Sequence, residues 1–312
     1  MFAITSRRGW WYVLSLALIV PGVVALLTGG LKPGIDFTGG SLVQLRFEQD
    51  ITQQAIQATA VDVGYPGATV QLTEDRGALV RTPPLDVEAK DALVDAILER
   101  SGPGQELSFS TIGPVVGAEL TRAAAIGVAV ASVLILLYVM WAFRRMERPV
   151  VLGLAAIGAL LHDALFILGL FAVLGHVVGV QVDALFVTAI LTVIGFSVND
   201  TIVVFDRIRE NRQRHLRLPD AQRPNFEQTV NFSANQSLTR SLNTSLTAVL
   251  VLLSLIVLGG PTIRLFVVAL AAGFLIGTYS SIFAASSALV SWDRRDVPRI
   301  WERFRSKLTL VR

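Results

Sequence analysis

Six long apolar runs divide this chain, and the polar stretches between them are very unequal. Hydrocarbon about 30 Å thick requires about 20 residues of helix. The runs extend from Trp10 to Leu31, Ala123 to Phe143, Pro149 to Leu174, Ala184 to Phe205, Leu242 to Leu258 and Leu265 to Val290. Each is read as a transmembrane helix. Only Gly259-Gly260-Pro261-Thr262 parts the last two, which predicts a hairpin. Arg7 and Arg8 precede the first run as in a signal peptide, a second reading of that run. The run is longer than the roughly 7–15 residues of such a segment, and no clean Ala-x-Ala site follows, so a retained span is expected.

The one long polar stretch, residues 32–122, changes period. Ser41 to Phe47 alternates apolar and polar positions, as a strand does. Asp50 is expected to cap a helix from Ile51 to Val63. Ala68 to Leu72 and Ala78 to Arg81 read as strands around a turn at Asp75-Arg76-Gly77. Asp86 to Arg100 carries Val87, Leu93, Val94, Ile97 and Leu98 at helical spacing, and Leu107 to Ile112 is a last strand. The order βαββαβ predicts a ferredoxin-like α+β domain. The fold class is therefore an α-helical membrane protein of six transmembrane helices with one external α+β domain. Its expected parts are residues 1–31 (cytoplasmic N-terminus and first span), 32–122 (external domain), 123–290 (spans two to six, with a basic loop at 207–240) and 291–312 (a basic tail).

Composition agrees with a membrane setting. Charged residues make up 16% of the 312, against about 25% in soluble domains, and mean hydropathy is +0.59. With no Cys there are no disulfides or thiolate sites, and three His leave little for a metal centre. No P-loop signature occurs. Residues 32–122 hold 13 Asp and Glu against 7 Lys and Arg, a net charge of −6. The basic residues gather instead before span one, between spans two and three, between spans four and five, and after span six. The positive-inside rule then puts both termini in the cytoplasm. The basic pI of 9.6 follows from topology and is no argument for nucleic-acid binding.

Ionisable residues inside the spans are the candidate chemistry, because each costs several kcal/mol there. Asp200 lies seven residues before Arg207, about 10 Å inside the charged edge of span four. A short carboxylate cannot snorkel that far. It must meet a polar cavity, a partner charge or a proton, which suits a proton carrier; the alternative is a structural hydrogen bond shared with Asn199 and Thr201. His162 and Asp163 sit near the middle of span three, pointing about 100° apart, as a proton relay or as satisfied packing residues. Arg240, Asn243 or Thr244, and Thr247 recur every three to four residues in span five as one polar stripe. Arg240 could pair with Asp200 or snorkel to lipid phosphate. Gly273 and Gly277 in span six indicate close helix packing. Gly34 to Gly40, with Asp36 inside it, reads as a turn.

Two of these stretches resemble a known family. Gly34-Ile35-Asp36-Phe37-Thr38-Gly39-Gly40 before a strand is similar to the first signature of the SecD/SecF protein-export family. The run from Ser197-Val198-Asn199-Asp200-Thr201 to Arg209-Glu210-Asn211 resembles the fourth-helix motif of its SecF branch, and Arg240 to Ser245 resembles the fifth-helix start. The likeness covers nearly the whole chain in span number, loop position and motif order, and the modest external domain points away from SecD. It implies a bacterial inner-membrane subunit, not an enzyme, that pairs with SecD in an assembly similar to RND-superfamily transporters. The implied partners are SecD, SecYEG, YajC, functionally SecA, and the unfolded preprotein. No cofactor is implied beyond a coupling proton, or sodium in some relatives. Asp200 then matches the proton-coupling carboxylate, flanked by Asn199 and Thr201, and Arg240 the nearby transmembrane arginine. Asp36, Gly39 and Gly40 match the signature at the base of the external domain. His162 and Asp163 match no motif. Two rivals remain: a scaffold that only stabilises the translocon, and half of an RND-type small-molecule exporter, which would carry larger external domains. A further expectation is that Ser41–Phe47 offers a strand edge to unfolded peptide.

Overall fold

The computed structural model describes residues 1–73, 76–144 and 149–294. Asp75 of the expected turn, Arg145, Arg148 and most of the basic tail lie outside the described residues. In chain order the elements are α1 (Arg8–Gly29), α2 (Ile35–Thr38), β1 (Gly40–Phe47), α3 (Gln53–Asp62), β2 (Thr69–Thr73), β3 (Gly77–Thr82), α4 (Val87–Ser101), β4 (Gly104–Ile112), α5 (Pro114–Ala142), α6 (Pro149–Val178), α7 (Ala184–Leu216), α8 (Phe226–Leu258), α9 (Pro261–Tyr279), a π-helical stretch (Ser280–Ala285) and α10 (Ser286–Asp293). Among the described residues, six helical segments are long and apolar enough to cross a membrane. The chain divides into two compact units: residues 1–30, 128–173 and 185–312 form the first, and residues 31–127 with 174–184 the second.

The second unit holds the sheet, in the order β2-β3-β1-β4 with every neighbouring pair antiparallel. With α3 and α4 this is the ferredoxin-like arrangement. Alternation in β1 points Val43, Leu45 and Phe47 into a core shared with Ile56, Val80, Leu93 and Ile97. Strand β1 is central, flanked by β3 and β4, so Ser41–Phe47 offers no free edge; the edges are β2 and β4. Asp86 caps α4 by accepting from Ala89 N. The cap of α3 is Thr52, which accepts from Ala55 N, and not Asp50. Asp50 instead pairs with Arg76 across 3.3 Å in solvent. A β-region residue three before the amide it bonds is what an N-cap needs, and Thr52 stands there.

In the first unit, two helices run far beyond their apolar cores. The expected loop at 207–240 is mostly helix, because α7 continues to Leu216 and α8 begins at Phe226. Glu210 bonds both Arg207 and Arg214 at 2.6 Å along α7. Phe205, Ile208 and Asn211 keep a buried face there. Asn225 and Gln228 form a reciprocal capping box at the start of α8. Asn211 Nδ2 donates to Ser233 Oγ at 2.9 Å and Gln236 Oε1 at 2.8 Å, which joins the two extensions.

Candidate functional site

Asp200 is buried on α7, where its Oδ1 accepts from Ser241 Oγ of α8 at 2.5 Å. Its Oδ2 is also buried and meets no donor among the described residues. Arg240 is exposed and makes no direct ion pair with Asp200, although its charge acts on Asp200 through space. The face of α8 that packs inward is a ladder of Ser237, Ser241 and Ser245 at a spacing of four. The predicted stripe of Arg240, Asn243, Thr244 and Thr247 is exposed instead. The reason is steric: serine lets two helices approach closely while still giving a donor, and longer side chains do not.

The rest of α7 packs by the same device. Gly273 lies against Val193 and Gly277 against Ser197, where an added Cβ would stand 3.3 Å from Ser197 Cβ. One step further, Thr201 Oγ1 and Ser281 Oγ are 2.8 Å apart. The pairs advance by four residues on both helices together, so α7 and the sixth span run parallel along a small-residue seam. Asn199 points away from this seam, is exposed, and has no side-chain hydrogen bond among the described residues.

His162 and Asp163 occupy a second polar layer. Asp163 is fully buried, and its Oδ2 accepts from Ser197 Oγ at 2.5 Å and Ser280 Oγ at 2.7 Å. Its Oδ1 lies 2.9 Å from His162 Nδ1. His162 Nε2 is 3.0 Å from Ser15 Oγ on α1, which is 3.0 Å from Tyr279 Oη. Asp163 thus meets span four and span six, and His162 meets span one, yet the two neighbours also bond each other. The π-helical stretch begins at Ser280, and such bulges recur at functional sites. It presents Ser280 to Asp163 and Ser281 to Thr201.

In the second unit, the Gly34–Gly40 segment contains one helical turn, α2, rather than a plain turn. Asp36 Oδ2 accepts from Ala184 N at 2.8 Å, so the signature acid caps the first residue of α7. Gly34 N and Val182 O pair at 2.7 Å, and Val182 N and Lys32 O at 2.8 Å. Gly39 and Gly40 have φ of 72° and 128°, and a Cβ would lie 2.8 Å from Pro114 Cα or 2.7 Å from Thr82 O. Both positions therefore demand glycine twice over, by conformation and by space.

Asp200, Thr201, His162 and Asp163 lie in the spans as the sequence predicts, but the sequence assigns no partner role to the serines that serve them. Ser15, Ser197, Ser241, Ser280 and Ser281 are neutral in hydropathy and vanish inside apolar runs. The available signal was their spacing, four residues apart in α8 and paired at Ser280-Ser281.

A chain with six spans, buried acids on its third and fourth, and one ferredoxin-like unit after its first is a polytopic membrane protein. The family description "Protein export membrane protein SecD/SecF, C-terminal" matches residues 93–295, and the SecD/SecF GG motif matches residues 24–51. A protein translocase subunit SecF of Thermobaculum terrenum is 45% identical, covering 97% of this chain and 98% of that one. The SecF of Anaerolinea thermophila is 38% identical over 94% of each. A crystal structure of SecDF from Thermus thermophilus, described as translocon-associated, superposes with a TM-score of 0.81 at 35% identity. It covers 94% of this chain, which spans only 39% of the fused relative. The chain belongs to the SecD/SecF family of protein-export membrane proteins, as a subunit of the SecF type.

Proposed function

We propose that the chain works with a SecD partner in the bacterial cytoplasmic membrane, both termini in the cytoplasm, and uses the proton-motive force to assist late preprotein translocation through SecYEG after the SecA-driven steps. YajC belongs to the same assembly on this reading. The observation that carries the proposal is the half-satisfied Asp200 carboxylate, with Oδ1 on Ser241 and Oδ2 buried with no donor among the described residues. A proton arriving from outside binds Oδ2 and removes the charge. Ser241 then no longer holds an anion, and the α7–α8 contact is free to repack. Arg240 acts on Asp200 through space, so losing the negative charge also releases that attraction. One charge crossing 100 mV yields about 2.3 kcal/mol, enough to bias a two-state bundle. Asp36 holds the first amide of α7, Ala184 N, within the second unit. The protein is a coupling subunit, with no reaction and no cofactor of its own.

The exposed polar side chains of Asn199, Arg240 and Asn243 support a partner within the membrane, because lipid tails offer them no hydrogen bond. SecD is that partner on this reading, and the fused SecDF relatives join the two in one chain.

Export by vesicles carrying the chain and SecD, with and without a proton gradient, is the test. The gradient stimulates wild type and fails to stimulate Asp200→Asn expressed at the same level. An equal response by both would make Asp200 structural and the chain a scaffold.

A further inference from the structure

The proton-coupling reading leaves unused the most deeply buried ionisable group described, Asp163, at 0% exposure. Hydrogen-bond inventory fixes its protonation more tightly than its burial does. Tyr279 Oη is 2.7 Å from Trp11 O, and a carbonyl only accepts, so the single phenolic proton is committed there. Ser15 Oγ, 3.0 Å from the same phenol, must therefore donate its own proton to Tyr279. Ser15 can then only accept from His162, so Nε2 carries a hydrogen and donates across 3.0 Å. The remaining nitrogen, Nδ1, faces Asp163 Oδ1 at 2.9 Å. Two lone pairs would repel at that distance, so one proton lies between them. The pair is an imidazolium beside a carboxylate, or a neutral imidazole beside a carboxylic acid. Both forms are neutral overall, as a low-dielectric interior favours.

We propose that His162 and Asp163 form a second proton-binding site, loaded with one proton on the Nδ1–Oδ1 line, whose loading is felt at Asp200. The first half stands on the hydrogen-bond count alone; the second rests on the reading of Asp200 as the coupling acid. Asp163 bonds Ser197, which lies one turn before Asp200 on α7, and its charge acts on Asp200 through space. Unloading the pair leaves Asp163 as an uncompensated anion, which repels an ionised Asp200. The two sites therefore disfavour being empty together, and a proton leaving one favours retention at the other. The titratable groups facing the pair among the described residues are Tyr279 from the sixth span and Asp200 from α7, while Tyr12 of α1 lines the approach. Arg240 of α8 acts on Asp200. A cavity of about 350 Å³ reaches the imidazole, with Tyr12, Ser15 and His162 as its polar lining.

The test uses the full chain with SecD in lipid vesicles. The chain has three histidines, so ¹⁵N-histidine NMR resolves His162, with the signal assigned by its loss in His162→Gln. A hydrogen on Nε2 at neutral pH is expected. A bare Nε2 with the hydrogen on Nδ1 would overturn the proton count. The link to Asp200 is read in the pH profile of gradient-stimulated export. Asp163→Asn removes the anion that an unloaded pair would set against Asp200, so the profile of that variant should shift. An unchanged profile in that variant removes the link. The NMR result needs no export, and Asp200→Asn tests the coupling reading separately, so the two can fail independently.

Discussion

The close approach of α1 and α6 offers a sharp test of how the polar layer is held. A Cβ on Gly22 of α1 would stand 2.5 Å from Gly169 Cα of α6, and one on Gly169 would stand 2.6 Å from Gly22 Cα. Ordinary carbon contacts lie at about 3.5–4.0 Å, so Gly22→Ala must push the helices apart by roughly 1 Å or more. Backbone cannot turn aside as a side chain can. Overpacking of this kind costs about 1–3 kcal/mol. A second cost follows from register. Ser15 precedes Gly22 by seven residues, and His162 precedes Gly169 by seven, so the two contacts lie about 10 Å apart along parallel helices. The Ser15–His162 bond is 3.0 Å long, and a 1 Å separation carried to that level takes it out of hydrogen-bond range. Losing it adds about 0.5–1.5 kcal/mol. Gly22→Ala is therefore expected to destabilise by about 2–4 kcal/mol in total. Thermal unfolding of the purified chain in detergent reads this, with Gly153→Ala as the control. Gly153 lies on α6 and an added Cβ there meets nothing within 4 Å, so that variant should be neutral or slightly stabilised. Equal melting of the two variants would refute the claim that α1 and α6 touch through bare backbone.

Four further outcomes are expected. Thr52→Ala should cost about 1 kcal/mol in the α+β unit, while Asp50→Ala, losing only a solvent-exposed pair, should cost nearly nothing; denaturant melts of the full chain compare them. Ser41→Ala should cost about 1–3 kcal/mol in the same melts, because Ser41 Oγ accepts from the buried Leu85 N at 2.8 Å and nothing replaces it. Asp36→Ala should leave the first amide of α7 without this acceptor and cost about 1 kcal/mol, whereas Asp36→Asn, which still accepts, should keep most of it; hydrogen exchange at the start of α7 reports the difference. Lys90 bonds Asp91 and Glu106, and these partners hold its proton above the ordinary lysine value. The raised value means the contribution is complete at neutral pH and is lost only as pH climbs through and past about 10.4, so Lys90→Met should flatten the alkaline limb of a stability profile.

The spans were legible because twenty apolar residues in a row admit little else. The βαββαβ order was legible because period two and period 3.6 alternate cleanly between Ser41 and Ile112. Helix ends were not. The continuation of α7 past Phe205 and the start of α8 at Phe226 are polar, and charged pairs with a narrow buried face give no hydropathy signal. The acids were found by their cost, yet their partners were not. Arg240 drew attention as the obvious counter-charge, but Asp200 is held by Ser241, the next residue, because only a short side chain fits the α7–α8 contact. The Ser280–Ala285 π stretch has no marker in composition at all.

The relative direction of the spans follows from side-chain register, without counting a single arginine. The contacts Ser15–His162 and Gly22–Gly169 rise together, so α1 and α6 are parallel. Asp163–Ser197 and Phe171–Phe186 run oppositely, so α6 and α7 are antiparallel. Asp200–Ser241 and Asn211–Ser233 make α7 and α8 antiparallel, while Ser197–Gly277 and Thr201–Ser281 make α7 and the sixth span parallel. Spans one and three can be parallel only if the run between them crosses once. Had α5 failed to cross, their direction would be reversed. Arg8, before the first span, and Arg294, after the sixth, then fall at the same end of the bundle, and the ion pairs agree: Glu227, at the start of α8, meets Arg8 at 3.5 Å and also Arg294. At that parity α1, α6, α7 and the sixth span present polar groups to one another at a single level, and His162 and Asp163 occupy it. One hydrogen-bonded cluster at that level joins four of the six spans, so the proton proposed there is placed where its loss would reach all four.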